Sequence, residues 1–151
     1  MTTTLLALDP GFGATLGRNI GAIALYAVVG LVLMVFGFYA IDWTTPGKLS
    51  ALVRNGAPNA VIVTASGLVS MAFIVVIAIT SSVGKLDEGL LSALIYGLVG
   101  IIVQVAAVRL LEWVTKLDIG SIIESDRFAP ASVVVASAHV ALGLVVAVAI
   151  S

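Results

Sequence analysis

Four long stretches without Asp, Glu, Lys or Arg constrain the fold of this chain more than any other feature. One of them, Leu90 to Val108, has nineteen residues and leads directly into Arg109, Glu112, Trp113 and Lys116. An α-helix rises about 1.5 Å per residue, so nineteen residues cover roughly the 30 Å of a bilayer's hydrocarbon core. Arg109 can extend its guanidinium out of the last buried turn, and Trp113 suits the headgroup level. The stretch therefore predicts a membrane-spanning helix with a charged end.

The other three uncharged stretches are similar in length and character. They are residues 20–41, 60–80 and 131–150, the last of which contains His139, the sole histidine. Only 10% of the 151 residues are charged, whereas about a quarter are charged in a typical soluble domain. We therefore predict one all-α membrane domain. Its segments are an N-terminal tail (1–19), four spans (about 20–41, 60–80, 90–111 and 131–150) and a connector (81–89).

Lysine and arginine are unevenly distributed between the two ends of the predicted spans. One side holds two of them, and the other holds five, namely Lys48, Arg54, Arg109, Lys116 and Arg127. Membrane proteins carry an excess of Lys and Arg in their cytoplasmic loops. We therefore expect the two longer loops to be cytoplasmic and both termini to be outside.

A shift of seventy residues aligns the first half of the chain with the second. Tyr26 falls on Tyr96, and the pair Asp42-Trp43 falls on Glu112-Trp113. An apolar i, i+3, i+4 stripe follows in each half, and its members are Leu49, Leu52 and Val53 in one and Ile119, Ile122 and Ile123 in the other. Such a stripe is typical of a short amphipathic helix at a membrane surface.

We interpret this pattern as two tandem parallel two-helix repeats, residues 20–80 and 90–151, related by a pseudo-twofold axis along the membrane normal. Each repeat is expected to carry one short amphipathic interfacial helix in its cytoplasmic loop. The alternative is chance similarity, because apolar segments are built from few residue types.

Several pieces of the chain resemble one known family. They are Thr45-Pro46 after the first span, GIIVQVAAVRL (Gly100 to Leu110) in the third, and the entries Asn59-Ala60 and Pro130-Ala131 to spans two and four. In these pieces the sequence resembles the bacterial inner-membrane family called domain of unknown function 350. The resemblance implies a small, oligomeric protein of the bacterial inner (plasma) membrane and supplies no catalytic residues. It also implies a loose connection to polyamine metabolism.

Gln104 and His139 are candidates for an intramembrane polar pair. Spans three and four run in opposite directions, so the two residues are expected at similar depth, slightly toward the cytoplasm. A polar group there must face protein or a water-filled cavity. The pair either senses a proton or an ion along a path or forms an interhelical hydrogen bond worth about 1 kcal/mol or less. Met34 and Leu68 occupy the corresponding positions of the first repeat, so any polar site is asymmetric.

Small residues mark candidate helix-packing positions. Ser66 and Ser70 in the second span, and Gly143 and Ala147 in the fourth, have the four-residue spacing that lets helix backbones approach closely. The spacing fits packing within one subunit and packing between subunits equally well.

Asp42 and Glu112 each precede a tryptophan, Trp43 or Trp113, at the end of a span. We consider two interpretations of these interfacial residues. The carboxylates are either solvated charges at helix ends or, in an oligomer, a ring that attracts cations.

The residue types also limit the chemistry that this chain can perform. It has no Cys, a single His and a net charge of −1, and it lacks phosphate-binding glycine loops and His/Asp/Glu groups with metal-ligand spacing. We therefore expect no enzyme activity, no metal or other cofactor, and no nucleic-acid partner. The expected partners are the lipid bilayer, further copies of the chain and another membrane protein.

Two functions remain open at this point. The first is a homo-oligomeric structural or accessory membrane subunit. The second is an oligomeric channel or transporter for a small ion or a cationic solute, for which the resemblance suggests a polyamine. The two functions differ in what the polar residues of spans three and four face. In a channel or transporter they face a hydrated path, and in a structural subunit they face a dry helix contact.

Overall fold

The computed structural model describes residues 11–45, 48–82 and 85–151. Within these residues all regular structure is helical, and no strand occurs. The helices are α1 (Phe12–Thr44), α2 (Leu49–Arg54), α3 (Pro58–Thr80), α4 (Leu86–Thr115), α5 (Ile119–Glu124) and α6 (Ala131–Ile150). In this described part, α1, α3, α4 and α6 are long and apolar enough to cross a membrane. The prediction of an all-α chain with four long apolar helices is confirmed.

Two of the long helices extend beyond the predicted spans. α1 has 33 residues and begins at Phe12, inside the predicted tail, because Phe12, Leu16 and Ile20 continue an apolar stripe at helical spacing. α4 has 30 residues and begins at Leu86, inside the predicted connector. Residues 1–10 of the tail, residues 83 and 84 of the connector, and Pro46 lie outside the described residues.

α3 is the central helix of the bundle. It packs against each of the other five helices, and its most extensive contact is with α6. Half of its most apolar stretch is buried, whereas only 17% of the corresponding stretch of α1 is buried. The hydrophobic core therefore surrounds α3, and α1 lies at the outside of the bundle. Core residues from four helices are Leu33, Val63, Met71, Ile74, Ile101 and Val135.

Glycines allow the long helices to approach closely. A methyl group built at Gly97 of α4 would lie 2.5 Å from Leu33 Cδ1 of α1, and one built at Gly143 of α6 would lie 3.0 Å from Ser70 Cα of α3. Neither distance leaves room for a side chain. Close backbone contact is the main way helices gain packing energy in lipid, which offers no hydrophobic drive between them.

The two short helices occur where the sequence predicts short amphipathic helices. α2 packs against α3, and α5 packs against α3 and α6. Leu49 of α2 and Ile123 of α5 are fully buried in these contacts. Each short helix thus folds back on the ends of the long helices.

Candidate functional site

Gln104 of α4 and His139 of α6 lie together inside the bundle. Their exposed fractions are 2% and 5%, and Gln104 Nε2 donates a hydrogen bond of 3.1 Å to the backbone carbonyl oxygen of His139. The bond joins α4 to α6, but it uses the main chain of the histidine. The imidazole ring is therefore left for other partners.

Ser66 of α3 lies against that ring. Its Oγ donates to the backbone oxygen of Val63 at 2.8 Å and is 3.5 Å from His139 Nδ1. Because the hydroxyl hydrogen is directed to Val63, Ser66 can contact the ring only as an acceptor, which is compatible with the Nδ1–H tautomer. In that tautomer Nε2 carries a lone pair and acts as an acceptor. We call Ser66, Gln104 and His139 the polar cluster.

A cavity of about 30 Å³ lies beside the polar cluster. At one end it is lined by the half-buried residues Thr44, Thr45 and Arg109, at the ends of α1 and α4. The rise per residue puts Gln104 about 7 Å deeper than Arg109 along α4. Lining residues extend no farther than Met71 on α3, so within the described part of the chain the cavity ends inside the bundle. Its size exceeds the roughly 10–15 Å³ that one water molecule needs.

Gln104 Oε1 is a buried acceptor without a hydrogen-bond partner among the described residues. The same holds for Thr64 Oγ1 and Ser70 Oγ, but only Gln104 among these three residues lines the cavity. An unpaired buried polar atom costs about 1–3 kcal/mol. Gln104 thus carries a buried acceptor beside the polar cluster that no described residue satisfies.

Arg109 is the charged residue that lines this cavity. Its guanidinium forms an ion pair with the Glu112 carboxylate one turn further along α4. The pairing compensates most of the positive charge near the cavity. No group of three His, Asp or Glu side chains that could hold a metal occurs in the described ranges.

The two interfacial carboxylates accept from first-turn N–H groups of the short helices, and in α5 the N-cap residue Asp118 also accepts from the N–H of Ser121 at 3.1 Å. Asp42 Oδ1 accepts from the backbone N–H of Ser50 at 2.9 Å, and Glu112 Oε1 accepts from the N–H of Ile119 at 3.3 Å. Each carboxylate thus satisfies a free N–H in the first turn of the short helix that follows. The neighbouring rings are solvent- or lipid-facing, with Trp43 92% and Trp113 77% exposed.

The four candidate packing residues lie in the contact between α3 and α6 of the same chain. Ser66, Ser70, Gly143 and Ala147 are all buried, and Gly143 lies directly against Ser70. Of the two kinds of packing that the spacing allows, the structure places these residues in the intrasubunit one.

Asn59, which the sequence marks only as part of the family-like entry to the second span, has a structural role. It is fully buried, and its Nδ2 donates to the backbone oxygens of Ser125 and Arg127 at 3.0 and 2.8 Å. Its Oδ1 accepts from the N–H of Ala129 at 2.9 Å. The sequence signals are the family-like Asn59-Ala60 pair and an amide residue in the first turn of a span, and neither identifies a partner.

Comparisons with known proteins agree with the resemblance stated above. The model of the family Domain of Unknown Function (DUF350) matches residues 15–150. A UPF0719 transmembrane protein of Mycolicibacterium paratuberculosis is 35% identical over 134 residues, which cover 87% of this chain and 89% of that protein. A UPF0719 transmembrane protein of Mycobacterium bovis is 36% identical over 81 residues, which cover 53% of each chain. No solved structure matches.

Proposed function

The chain belongs to the DUF350 family of transmembrane proteins, whose function is unknown, and from that premise we propose that it is a homo-oligomeric structural or accessory subunit of the bacterial inner membrane. The family supplies no activity, so the proposal rests on the geometry of this chain. The observation that carries it is an unoccupied glycine stripe on α1.

Three glycines of α1, Gly13, Gly17 and Gly21, follow each other at four-residue spacing, and a methyl group built on any of them would meet no atom of the described residues within 4 Å outside its own stretch of helix. At each of the other seven glycines of the long helices, such a methyl group would lie within 3.5 Å of a side-chain atom of another helix. Glycine at this spacing is typical of close helix–helix contacts in membranes. The stripe therefore has the form of a packing surface whose partner helix belongs to another molecule.

A second copy of the chain is the partner that best fits this stripe. Only Leu33, Gly37 and Ile41 of the 33 residues of α1 are buried, so its N-terminal half is free to pack. Two copies of α1 would present the same stripe to each other, which satisfies both surfaces in a closed symmetric contact. We expect the bilayer to cover the remaining apolar faces, with another membrane protein as a further partner.

The proposal includes the tandem repeat and its interfacial helices. In support, α2 and α5 have six residues each and start seventy positions apart, at Leu49 and Ile119. Each is capped by the carboxylate of the preceding long helix, Asp42 or Glu112. We assign both short helices to the cytoplasmic surface and both termini to the outside, because five of the seven Lys and Arg residues lie on that loop side.

We further propose that the subunit performs no enzymatic chemistry and takes no cofactor or nucleic acid. The absence of Cys, the single His and the net charge of −1 support this view. Without thiols, carboxylates and one imidazole are the strong metal ligands available in this chain.

An oligomeric channel or transporter for a small ion or cationic solute is the second candidate. The cavity that reaches Gln104 and His139 favours it. Two features weigh against a path for a polyamine-like cation through one copy. The cavity's lining residues end at Met71, and the cationic Arg109 is among them. A transport path would then have to form between copies.

The test is the mass of the particle in native-lipid nanodiscs, compared with the 15.4 kDa chain. We expect several chains per particle for the unaltered protein. Gly17→Leu should lower the mass toward one chain, because the leucine blocks close approach at the stripe. The matched control is Thr15→Leu, two residues away and on the opposite face at about 3.6 residues per turn, which should leave the mass unchanged. One chain per particle at all protein concentrations would refute the homo-oligomer, and an unchanged mass in Gly17→Leu would refute the α1 contact.

A further inference from the structure

We propose that a groove between the loop-side ends of α1 and α4 is a binding site for one phosphatidylethanolamine molecule. This interfacial groove has a volume of about 760 Å³, within the range of about 300–1,000 Å³ that is usual for small-molecule sites. All its lining residues belong to one chain, so the site does not depend on the oligomer proposed above. They include Phe36, Tyr39, Asp42, Trp43, Lys48 and Ile102.

The interfacial groove lies at the depth where a lipid changes from its headgroup to its acyl chains. Trp43 is exposed and suits the headgroup level. The rise per residue puts Phe36 about 10 Å deeper than Trp43 along α1. Phe36, Tyr39 and Ile102 are large, exposed side chains, and they give the deeper part of the groove an apolar wall. This part therefore suits an acyl chain, and the end near Trp43 suits a headgroup.

Lys48 supplies a cation that the fold does not use. It is exposed, and its ammonium has no carboxylate partner among the described residues, where the one ion pair joins Arg109 and Glu112. The shift of seventy residues places Asp118 at the corresponding position, and that carboxylate accepts from the N–H of Ser121. A lysine side chain has no acceptor and cannot serve as such a cap. The Lys48 ammonium is therefore available to a lipid phosphate.

Asp42 supplies the opposite charge in the same groove. Its Oδ1 accepts from the N–H of Ser50 at 2.9 Å, and its Oδ2 forms no hydrogen bond or ion pair within the described part of the chain. A site with one ammonium and one carboxylate matches a headgroup with one phosphate and one ammonium. The ammonium of phosphatidylethanolamine also donates N–H groups that a carboxylate accepts. Phosphatidylcholine carries methyl groups in place of these donors, and phosphatidylglycerol has no cation, so both match the groove less well.

The two tryptophans allow a direct test in vesicles. In Trp113→Phe, Trp43 is the sole tryptophan, and lipids with brominated acyl chains quench its fluorescence on contact. Brominated phosphatidylethanolamine, phosphatidylcholine and phosphatidylglycerol are each added at the same mole fraction to a phosphatidylcholine background. We expect phosphatidylethanolamine to quench Trp43 as if its local concentration were roughly two-fold to five-fold that of the other two, the effect of one exposed ion pair. Trp43→Phe is the matched control, because Trp113 does not line the groove and should respond equally to all three.

Two further changes in the Trp113→Phe chain test the two charges separately. Asp42→Asn keeps an oxygen for the N–H of Ser50 and removes the negative charge, so phosphatidylethanolamine should fall to the level of phosphatidylcholine. Lys48→Gln should lower the preference for phosphatidylethanolamine over brominated diacylglycerol, which lacks phosphate, by roughly two-fold to five-fold. Lys116→Gln removes a cation that does not line the groove and should leave both preferences unchanged.

Three results in the Trp113→Phe chain would overturn the site. They are equal quenching by all three phospholipids, a preference for phosphatidylcholine or phosphatidylglycerol, and no quenching at all, as when a second copy covers the groove. An undiminished preference in Asp42→Asn or in Lys48→Gln would overturn the role of that charge.

Discussion

At the scale of single residues, Asn59 links the two halves of the chain. Its amide group holds three backbone groups of the segment between α5 and α6. Those groups have no regular secondary structure to pair with, so a side chain must satisfy them. One buried amide at the start of α3 therefore fixes how the second short helix joins α6.

Asn59→Ala should be strongly destabilising. The change leaves the backbone oxygen of Ser125 and the N–H of Ala129 without their partner, at about 1–3 kcal/mol for each group that water cannot reach. The backbone oxygen of Arg127 loses one of its two donors and keeps Ser125 Oγ. We expect a loss of roughly 2–4 kcal/mol in the free energy of unfolding, measured by denaturant titration in detergent micelles. Asn55→Ala, at an exposed position, is the control and should change stability by less than about 0.5 kcal/mol. Equal stability of the two variants would contradict the assigned role.

The polar cluster was predictable from the sequence only in part. Gln104 and His139 stand out because polar side chains are costly in lipid, and opposite helix directions place them at similar depth. Spacing along a helix does not fix how far each helix rotates about its axis in the bundle. The bond to the His139 main chain, and the contact of Ser66 with its ring, depend on those rotations and emerge only from the structure.

At the scale of elements, the two short helices show how the carboxylate–tryptophan pairs are used. The last turns of α1 and α4 each provide a carboxylate that accepts from the first turn of α2 or α5. Short helices have few internal hydrogen bonds, so a cap contributes a large share of their stability. Both acids therefore shape the local structure in addition to any charge that they present at the surface.

Asp42→Ala should loosen α2, and Glu112→Ala should loosen α5. Loss of an N-terminal cap costs about 0.5–2 kcal/mol, which raises the rate of amide exchange in the affected helix by about two-fold to thirty-fold. Hydrogen–deuterium exchange read by mass spectrometry should show the change in 49–54 for the first variant and 119–124 for the second. Asp126→Ala, at an exposed position, should alter neither segment. Faster exchange spread evenly over the chain would argue against local capping.

The helices α3 and α6 lie within two residues of the predicted spans at both ends, whereas α1 begins eight residues before its predicted span and α4 extends four residues beyond its span at each end. Counting uncharged residues locates the apolar segments, because lipid excludes Asp, Glu, Lys and Arg. The same count placed the beginning of the first span at Ile20, next to Arg18 and Asn19, whereas α1 begins at Phe12. A helix can continue beyond the point where its surroundings become polar. At about 50 Å, α1 is therefore longer than the hydrocarbon core.

At the scale of the whole molecule, the closest helix contacts are internal and the outermost helix has an unfilled surface. Ser70 and Gly143 pack against each other in the centre of the chain, so enlarging either one would disrupt the bundle itself. The glycine stripe of α1 has no counterpart inside the described part of the molecule. An assembly surface is therefore best sought on α1, at the opposite side from the α3–α6 contact.

The orientation of the whole molecule in the membrane can be tested by thiol labelling. The five-to-two asymmetry of Lys and Arg predicts α2 on the cytoplasmic side and the start of α4 outside. Ala51 of α2 and Glu88 of α4 are exposed, whereas Ser82 is buried and is a poor reporter. Since the chain has no Cys, Ala51→Cys and Glu88→Cys each give one thiol, and the unaltered chain is the blank. A thiol reagent that does not cross membranes should label only Glu88→Cys in intact spheroplasts and should label both variants once the cells are opened. Labelling of Ala51→Cys but not Glu88→Cys in intact spheroplasts would establish the opposite orientation and would place the end of the cavity lined by Thr45 and Arg109 on the outer side of the bundle.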